Sequence, residues 1–200
     1  MIKPIFIKKK IKPFNKTIEV NGDKSLSIRW ALLASQAKGK SRAYNILRSQ
    51  DVISTLNCLK KLGTKVTLKN KYCEIEALGL NSFKNKKNLT LNAGNSGTLG
   101  RLIIGLLAHY NNKVKIVGDK SLSTRDFSRV IIPLKKFGAS FKYKNGYKLP
   151  VIVNGSKNLR PIKYFEKKGS AQCKSSVIFA GIKTDGKTII KAKKSRNHTE

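Results

Sequence analysis

The order of hydrophobic patterns along the chain repeats, and this repeat restricts the fold more than any other feature. The segment LKKLG at residues 59–63 returns as LKKFG at residues 134–138, and Asp51 returns as Asp126 at the same offset of 75 residues. Gly22, Gly94 and Gly169 precede three apolar helical patterns at similar distances. A long repeat in so few copies predicts units packed around a common centre rather than a solenoid.

Hydrophobic periodicity gives each unit the element order βαβαββ. In the first unit we predict strands at 17–20, 42–46, 65–68 and 72–77, with helices at 26–36 and 51–62. In the second unit we predict strands at 89–91, 114–117, 140–143 and 151–153, with helices at 98–109 and 127–137. The third unit has a strand at 162–165, a helix at 172–182 and a strand at 188–190. These patterns predict an α/β lobe with pseudo-threefold arrangement and units at about 17–80, 86–155 and 156–200, two complete and the third truncated.

Each unit has a turn of small and polar residues before its first helix. The three turns are GDKS at residues 22–25, GNSGT at residues 94–98 and GSAQ at residues 169–172. The free amides and the positive dipole end of a helix N-terminus favour anions. If the three turns meet at one end of the lobe, they form a site for a small substrate with more than one phosphate or carboxylate.

The chain is strongly basic, with a formal net charge of +33 from 43 Lys and Arg against 10 Asp and Glu. Neutralisation of phosphates by such charges drives nucleic-acid binding, so a basic RNA-binding module is one interpretation. The lysines, however, occur in every segment, and aromatic residues do not alternate with them as in single-strand binders. We therefore favour a coding bias toward Lys, together with a field that attracts small anions.

The composition argues against a metal site and a membrane protein. Cys58, Cys73, Cys173, His109 and His198 show no paired-ligand spacing, so we expect no metal and reduced thiols. No apolar run approaches the roughly 20 residues that a membrane span needs. The basic start of the chain has no apolar signal region after it. We expect a cytoplasmic protein without a membrane or nucleic-acid partner.

Five ordered motifs resemble the signatures of one enzyme family. They are GDKSLSIR at 22–29, GNSGTLGR at 94–101, GDKSLSTR at 118–125, SAQCKS at 170–175 and SRNHTE at 195–200. Together they resemble the 5-enolpyruvylshikimate-3-phosphate synthases, and the resemblance covers nearly the whole chain. It implies a fold of two lobes, each built from three βαβαββ units. It also implies an enzyme of aromatic amino acid and chorismate biosynthesis.

The resemblance implies transfer of the enolpyruvyl group of phosphoenolpyruvate to the 5-hydroxyl of shikimate 3-phosphate, with release of phosphate. No cofactor is implied, and the complete enzyme is expected to be a monomer. Lys24 and Arg125 are the implied catalytic residues, with Lys24 assisting proton transfer. The residues implied to contact phosphoenolpyruvate are Lys24, Gly97 and Arg125. Those implied to hold shikimate 3-phosphate are Ser25, Arg29, Ser170, Ala171, Gln172 and Arg196, while Asn95, Thr98 and Arg101 shape the phosphate turn.

The chain departs from the family in one residue and in length. Asp126 follows Arg125 where the family usually has proline, which places a carboxylate beside an anion site. The chain ends inside a motif, so we expect an N-terminal portion that is inactive without the C-terminal lobe of the same enzyme. Residues 1–16 are expected to form a strand that pairs with that lobe.

Two alternatives are left open. The enolpyruvyl transferases that act on UDP-N-acetylglucosamine have Lys-Asn where this chain has Lys24 and Ser25, and they use a cysteine-bearing loop that is not recognisable here. A basic RNA-binding module would instead show a steep decrease of affinity with salt, because counterions are released on binding. A shaped site would prefer shikimate 3-phosphate over other phosphates.

Overall fold

The computed structural model describes residues 6, 9–10, 12–13, 15–83, 88–144 and 146–193. The first unit contains helices α1 (Lys24–Ala34) and α2 (Gln50–Lys61), and strands β1 (Lys38–Tyr44), β2 (Lys65–Leu68) and β3 (Tyr72–Leu78). The second contains helices α3 (Gly97–Leu107), α4 (Lys120–Thr124) and α5 (Ser128–Phe137), and strands β4 (Leu89–Asn92), β5 (Lys113–Val117), β6 (Ser140–Lys144) and β7 (Lys148–Asn154). The third contains β8 (Lys163–Glu166), α6 (Ala171–Gly181) and β9 (Ile189–Ala192).

The sheets of the three units follow one plan. The second sheet has the order β4-β5-β7-β6, in which β4 and β5 are parallel and the other pairs are antiparallel. The first sheet, β1-β3-β2, repeats the antiparallel part of this order. The third sheet repeats its parallel pair as β8 and β9. The α/β class and the repeated plan predicted from the sequence are therefore confirmed.

Helices α1, α3 and α6 pack side by side and start at the same end of the molecule. Helix α3 is apolar on nearly all sides and lies in the centre of the core, in contact with both α1 and α6. Ser176 Oγ of α6 donates to the Arg101 carbonyl of α3 at 3.0 Å. Arg29 Nε of α1 donates to Ser175 Oγ of α6 at 3.2 Å. These contacts bring the three predicted helix-start turns to one end of the lobe.

The prediction of a strand at residues 17–20 is wrong. This segment is irregular, and Ile18 and Val20 are 76% and 67% exposed. Asn45 Nδ2 donates to the Val20 carbonyl at 3.1 Å, a side-chain contact rather than a strand ladder. A strand requires a paired neighbour as well as an alternating pattern, and the pattern alone was not sufficient.

Two further differences concern short or terminal segments. Helix α4 was not predicted, because five residues are too few to show a helical period. It starts at a capping residue, Asp119, whose carboxylate accepts from the Leu122 amide at 2.7 Å. The predicted N-terminal strand falls on residues 1–16, of which 1–5, 7–8, 11 and 14 lie outside the described residues.

The three cysteines are unpaired and buried. Burial raises the pKa of the Cys58 thiol to about 12 and that of Cys73 to about 11, and it also raises the pKa of Cys173. We expect no rapid reaction with a disulfide reagent near neutral pH, because both access and thiolate are lacking. All three thiols should react after unfolding in guanidinium. Rapid reaction of one thiol in the folded protein would contradict this expectation.

The described residues contain neither a candidate membrane-spanning helix nor a candidate metal site. None of the helices in the described ranges is both long and apolar enough to cross a membrane. Within the same ranges, no group of three or more His, Cys, Asp and Glu side chains is arranged to hold a metal ion.

Candidate functional site

A cleft of about 300 Å³ lies where α1 and α6 begin. Five of the predicted residues line it: Ser25, Arg29, Ser170, Ala171 and Gln172. Gly169 and two cations that were not predicted, Arg129 and Lys168, complete the lining. As far as the chain is described, every side chain on this lining is neutral or cationic. The cleft therefore favours an anionic ligand.

Arg29 forms the fixed, buried part of this cleft. Its side chain is on the second turn of α1, and the residue is only 7% exposed. The guanidinium donates from Nη1 to the Ser25 carbonyl at 3.2 Å and from Nε to Ser175 Oγ at 3.2 Å. These bonds fix the plane of the guanidinium, and such a planar donor pair matches a carboxylate or phosphate.

A second group of residues surrounds Gly97, the first residue of α3. A methyl group at Gly97 would lie 2.9 Å from Arg101 Nη1 and 3.1 Å from Arg125 Nη1, so two guanidinium groups flank this glycine. Arg125 Nη2 donates to Asn95 Oδ1 at 3.2 Å, and Asn95 Nδ2 donates to Asp119 Oδ2 at 2.5 Å. Two guanidinium groups therefore converge beside Gly97, where only a residue without a side chain fits, and this concentration of positive charge is suited to a small anion.

Gln172 connects the Gly97 group to the cleft. Its Oε1 accepts from Arg101 Nη1 at 3.0 Å, and its Nε2 donates to Thr98 Oγ1 at 3.1 Å. Arg101 also donates to the Asp126 carbonyl at 3.2 Å and lies over the Phe127 ring. Burial and the nearby charges of Arg125 and Arg129 lower the pKa of Arg101. An anion bound here would relieve the repulsion among these arginines.

Lys24 is held at the side of this arrangement. Its Nζ lies 3.2 Å from Asp51 Oδ2 at the start of α2, and its side chain is 48% exposed. One turn later on α2, Ser54 Oγ lies 3.1 Å from the Cβ position of Gly94. Helix α2 therefore contacts both Lys24 and the turn before α3. The role of Asp51 as the partner of Lys24 was not predicted.

Asp126 stands where the family usually has proline, and its carboxylate is hydrogen-bonded to the first residue of helix α5. Its carboxylate accepts from the Ser128 amide at 2.7 Å and from Ser128 Oγ at 2.6 Å. Burial acts to raise the pKa of Asp126, but the Ser128 hydrogen bonds and the charges of Arg129 and Arg101 outweigh it, so the pKa is lowered. The carboxylate stabilises the first turn of α5.

Glu166 holds the turn that enters α6. It is 3% exposed, and its carboxylate accepts from the Lys168 amide at 3.0 Å and from the Ser170 amide at 2.9 Å. Ser170 in turn caps α6, since its Oγ accepts from the Cys173 amide at 3.3 Å. Glu166 thus fixes residues 168–170 in the cleft wall. The sequence signal for this role is an acidic residue placed directly before the turn that leads into a helix.

We expect Glu166→Gln to lower the free energy of unfolding by about 1 to 2 kcal/mol, because one buried amide loses its acceptor. Chemical unfolding measures this change. Glu76→Gln is the matched control, since Glu76 pairs with Lys65 at the surface. The control should change stability by less than about 0.5 kcal/mol. Equal losses in the two variants would contradict the role assigned to Glu166.

The structure brings most of the predicted site residues into two adjoining groups. Ser25, Arg29, Ser170, Ala171 and Gln172 line the cleft, while Asn95, Gly97, Thr98, Arg101 and Arg125 form the Gly97 group. Lys24 stands beside them with Asp51. The remaining predicted residue, Arg196, lies outside the described residues.

Comparison with known proteins decides the family. The family model described as EPSP synthase (3-phosphoshikimate 1-carboxyvinyltransferase) matches residues 8–200. The chain belongs to this family. A 3-phosphoshikimate 1-carboxyvinyltransferase from Streptococcus mutans is 41% identical over 186 residues, which cover 92% of this chain and 43% of the relative. One from Streptococcus suis is 40% identical over 196 residues, which cover 97% of this chain and 46% of the relative.

Solved structures of the EPSP synthase family have the same fold. An EPSP synthase from Acinetobacter baumannii superimposes with a TM-score of 0.85 at 31% identity, covering 91% of this chain and 41% of that chain. The chain therefore spans less than half the length of the family members that it matches.

Proposed function

We propose that this chain supplies the shikimate 3-phosphate-binding part of a 3-phosphoshikimate 1-carboxyvinyltransferase. One observation carries the proposal: a cationic cleft at the starts of α1 and α6 is joined through Gln172 to a second cationic group around Gly97. Two adjoining anion sites suit a reaction between two anionic substrates. Shikimate 3-phosphate occupies the cleft, and phosphoenolpyruvate lies beside Gly97.

The reaction joins the 5-hydroxyl oxygen to the central carbon of phosphoenolpyruvate and breaks the bond from that carbon to the phosphate oxygen. During addition the 5-hydroxyl loses its proton and the methylene carbon gains one, and during elimination the resulting methyl group loses a proton as phosphate leaves. Arg125 and Arg101 stabilise the departing phosphate, because their charges are already held in place before reaction. Lys24, held by Asp51, assists the proton transfer. Binding both substrates side by side contributes proximity.

We propose that catalysis also requires a second lobe, corresponding to the part of the relatives that this chain does not match. In the lobe described here Arg125, Arg129 and Lys168 are exposed, whereas stabilisation of the transition state needs water to be excluded. Shikimate 3-phosphate, phosphoenolpyruvate and this second lobe are thus the proposed partners. The unpaired cysteines support a reducing compartment such as the cytoplasm.

A chimera tests the proposed activity. This chain replaces the 186 aligned residues of the Streptococcus mutans relative, and phosphate release is measured with both substrates. We expect release only when phosphoenolpyruvate and shikimate 3-phosphate are both present. Lys24→Met should abolish most of the activity, while Lys113→Met, a change on an exposed strand residue, should not. A folded chimera that binds shikimate 3-phosphate but releases no phosphate would contradict the proposal.

A further inference from the structure

We propose that Lys168 and Arg129 form a phosphate-recognition pair that selects shikimate 3-phosphate over unphosphorylated shikimate. The inference rests on the proposed function and adds two residues that the sequence motifs do not contain. Both side chains line the cleft with Ser25, Arg29 and Ser170. They lie on different elements, Lys168 before α6 and Arg129 in the first turn of α5.

The backbone at Lys168 is fixed although its side chain is exposed. The Lys168 amide donates to the buried Glu166 carboxylate at 3.0 Å, and two residues later the Ser170 amide does the same at 2.9 Å. The base of the Lys168 side chain is thereby held at the mouth of the cleft. Only the flexible end has to be ordered when a ligand binds, which limits the entropy lost.

Helix α6 adds backbone amides to the lining of the cleft. The first amides of a helix have no acceptor within the helix. In α6 the Cys173 amide is capped by Ser170 Oγ, while Ala171 and Gln172 supply first-turn amides on the cleft lining. An anion near Lys168 would therefore meet amides and the positive end of the helix dipole as well as the ammonium group.

Arg129, on α5, also places positive charge near the first turn of α6. Burial raises the pKa of Cys173, in the first turn of α6, and the charges of Arg101 and Arg129 act against this increase. Arg129 also contributes to the lowered pKa of Arg101, after burial and Arg125. Arg129 also lowers the pKa of Asp126, but the Asp126 carboxylate is bonded to Ser128 and the Glu166 carboxylate to two backbone amides, and neither acid lines the cleft. The cleft lining therefore carries a net positive charge.

The carboxylate and the phosphate of shikimate 3-phosphate are matched by different arrangements of donors and positive charges. A carboxylate is matched by one rigid planar donor, and the buried Arg29 guanidinium provides this. A phosphate carries more charge and three acceptor oxygens, and it is suited to helix amides together with several cations. The part of the lining that Lys168, Arg129 and the first turn of α6 contribute fits the phosphate.

The test is calorimetric titration of this chain at moderate salt with shikimate 3-phosphate and with shikimate. Lys168→Met and Arg129→Met remove each charge but keep an unbranched apolar side chain in place of the aliphatic stem. We expect each to weaken shikimate 3-phosphate binding about tenfold, or about 1.4 kcal/mol, and to change shikimate binding by less than about twofold. Lys167→Met and Arg160→Met are the matched controls, because both residues are exposed and neither lines the cleft.

The outcomes separate this inference from the proposed function. If the wild-type chain binds shikimate 3-phosphate and the two cleft variants bind it as tightly as the controls do, the recognition pair is wrong and the proposed function stands. The pair is also wrong if the variants weaken shikimate and shikimate 3-phosphate equally, because the effect is then not on the phosphate. If the folded wild-type chain binds neither ligand, both proposals are contradicted.

Discussion

Arg29→Ala is expected to weaken shikimate 3-phosphate binding to this chain by at least about a hundredfold, or about 2.7 kcal/mol. Arg29 is the buried cation of the cleft, and both its Nε and Nη1 are already oriented by Ser175 and Ser25. Its loss removes a preorganised charge that the flexible cations at the cleft mouth cannot replace. Titration calorimetry measures the change directly.

Two further variants separate lost binding from lost folding. Arg29→Lys keeps the charge without the planar fork, and we expect it to bind about tenfold more weakly than wild type in a fully folded protein. Arg42→Ala removes an exposed arginine that pairs with Glu74 on β3, and it should bind as wild type does. Wild-type affinity in a folded Arg29→Ala chain would show that the cleft is not the binding site.

Gly97→Ala is expected to raise the KM for phosphoenolpyruvate at least about thirtyfold, with the KM for shikimate 3-phosphate changed less than about threefold. The new methyl group would lie 2.9 Å from Arg101 Nη1 and 3.1 Å from Arg125 Nη1. Arg101 cannot move freely, since Gln172 and the Asp126 carbonyl hold it. Overpacking of this kind costs about 1 to 3 kcal/mol, and here it falls on the anion position.

The measurement uses the chimera with the Streptococcus mutans relative, together with chemical unfolding of the 200-residue chain. Helix propensity favours alanine over glycine by about 1 kcal/mol, but the overpacking opposes this gain, so the free energy of unfolding should stay level or fall by up to about 2 kcal/mol. The expected signature is a KM for phosphoenolpyruvate that rises far more than the KM for shikimate 3-phosphate, in a protein that stays folded. If both KM values rise together, the methyl group disturbs the whole site and the separation into two anion groups is wrong.

Local sequence patterns were enough to predict the elements that carry the site. The turns before α1, α3 and α6 each combine a capping residue with an apolar helix, and these signals do not depend on distant contacts. Equivalent positions in a repeat also occupy equivalent places in space. For this reason Ser25, Arg29 and Gln172, which are far apart in sequence, could be expected at one cleft before the fold was known.

The contacts that complete the site depend on packing between elements and could not be predicted in the same way. Asp51 reaches Lys24 only because α1 packs on α2. Lys168 is one of many lysines in the sequence, and nothing local distinguishes it until Glu166 is seen to hold its amide. The failed strand at residues 17–20 has the same origin, since strand pairing is a long-range property.

We propose that this chain carries a preformed half-site shaped for shikimate 3-phosphate. The measurement that tests it most directly is titration of the 200-residue chain with shikimate 3-phosphate, inorganic phosphate and a short single-stranded RNA over a range of salt. We predict saturable one-to-one binding of shikimate 3-phosphate that is tighter than binding of phosphate and only moderately salt-dependent. Equal binding of all phosphates, with the steep salt dependence of counterion release, would contradict the claim and favour a nucleic-acid-binding protein.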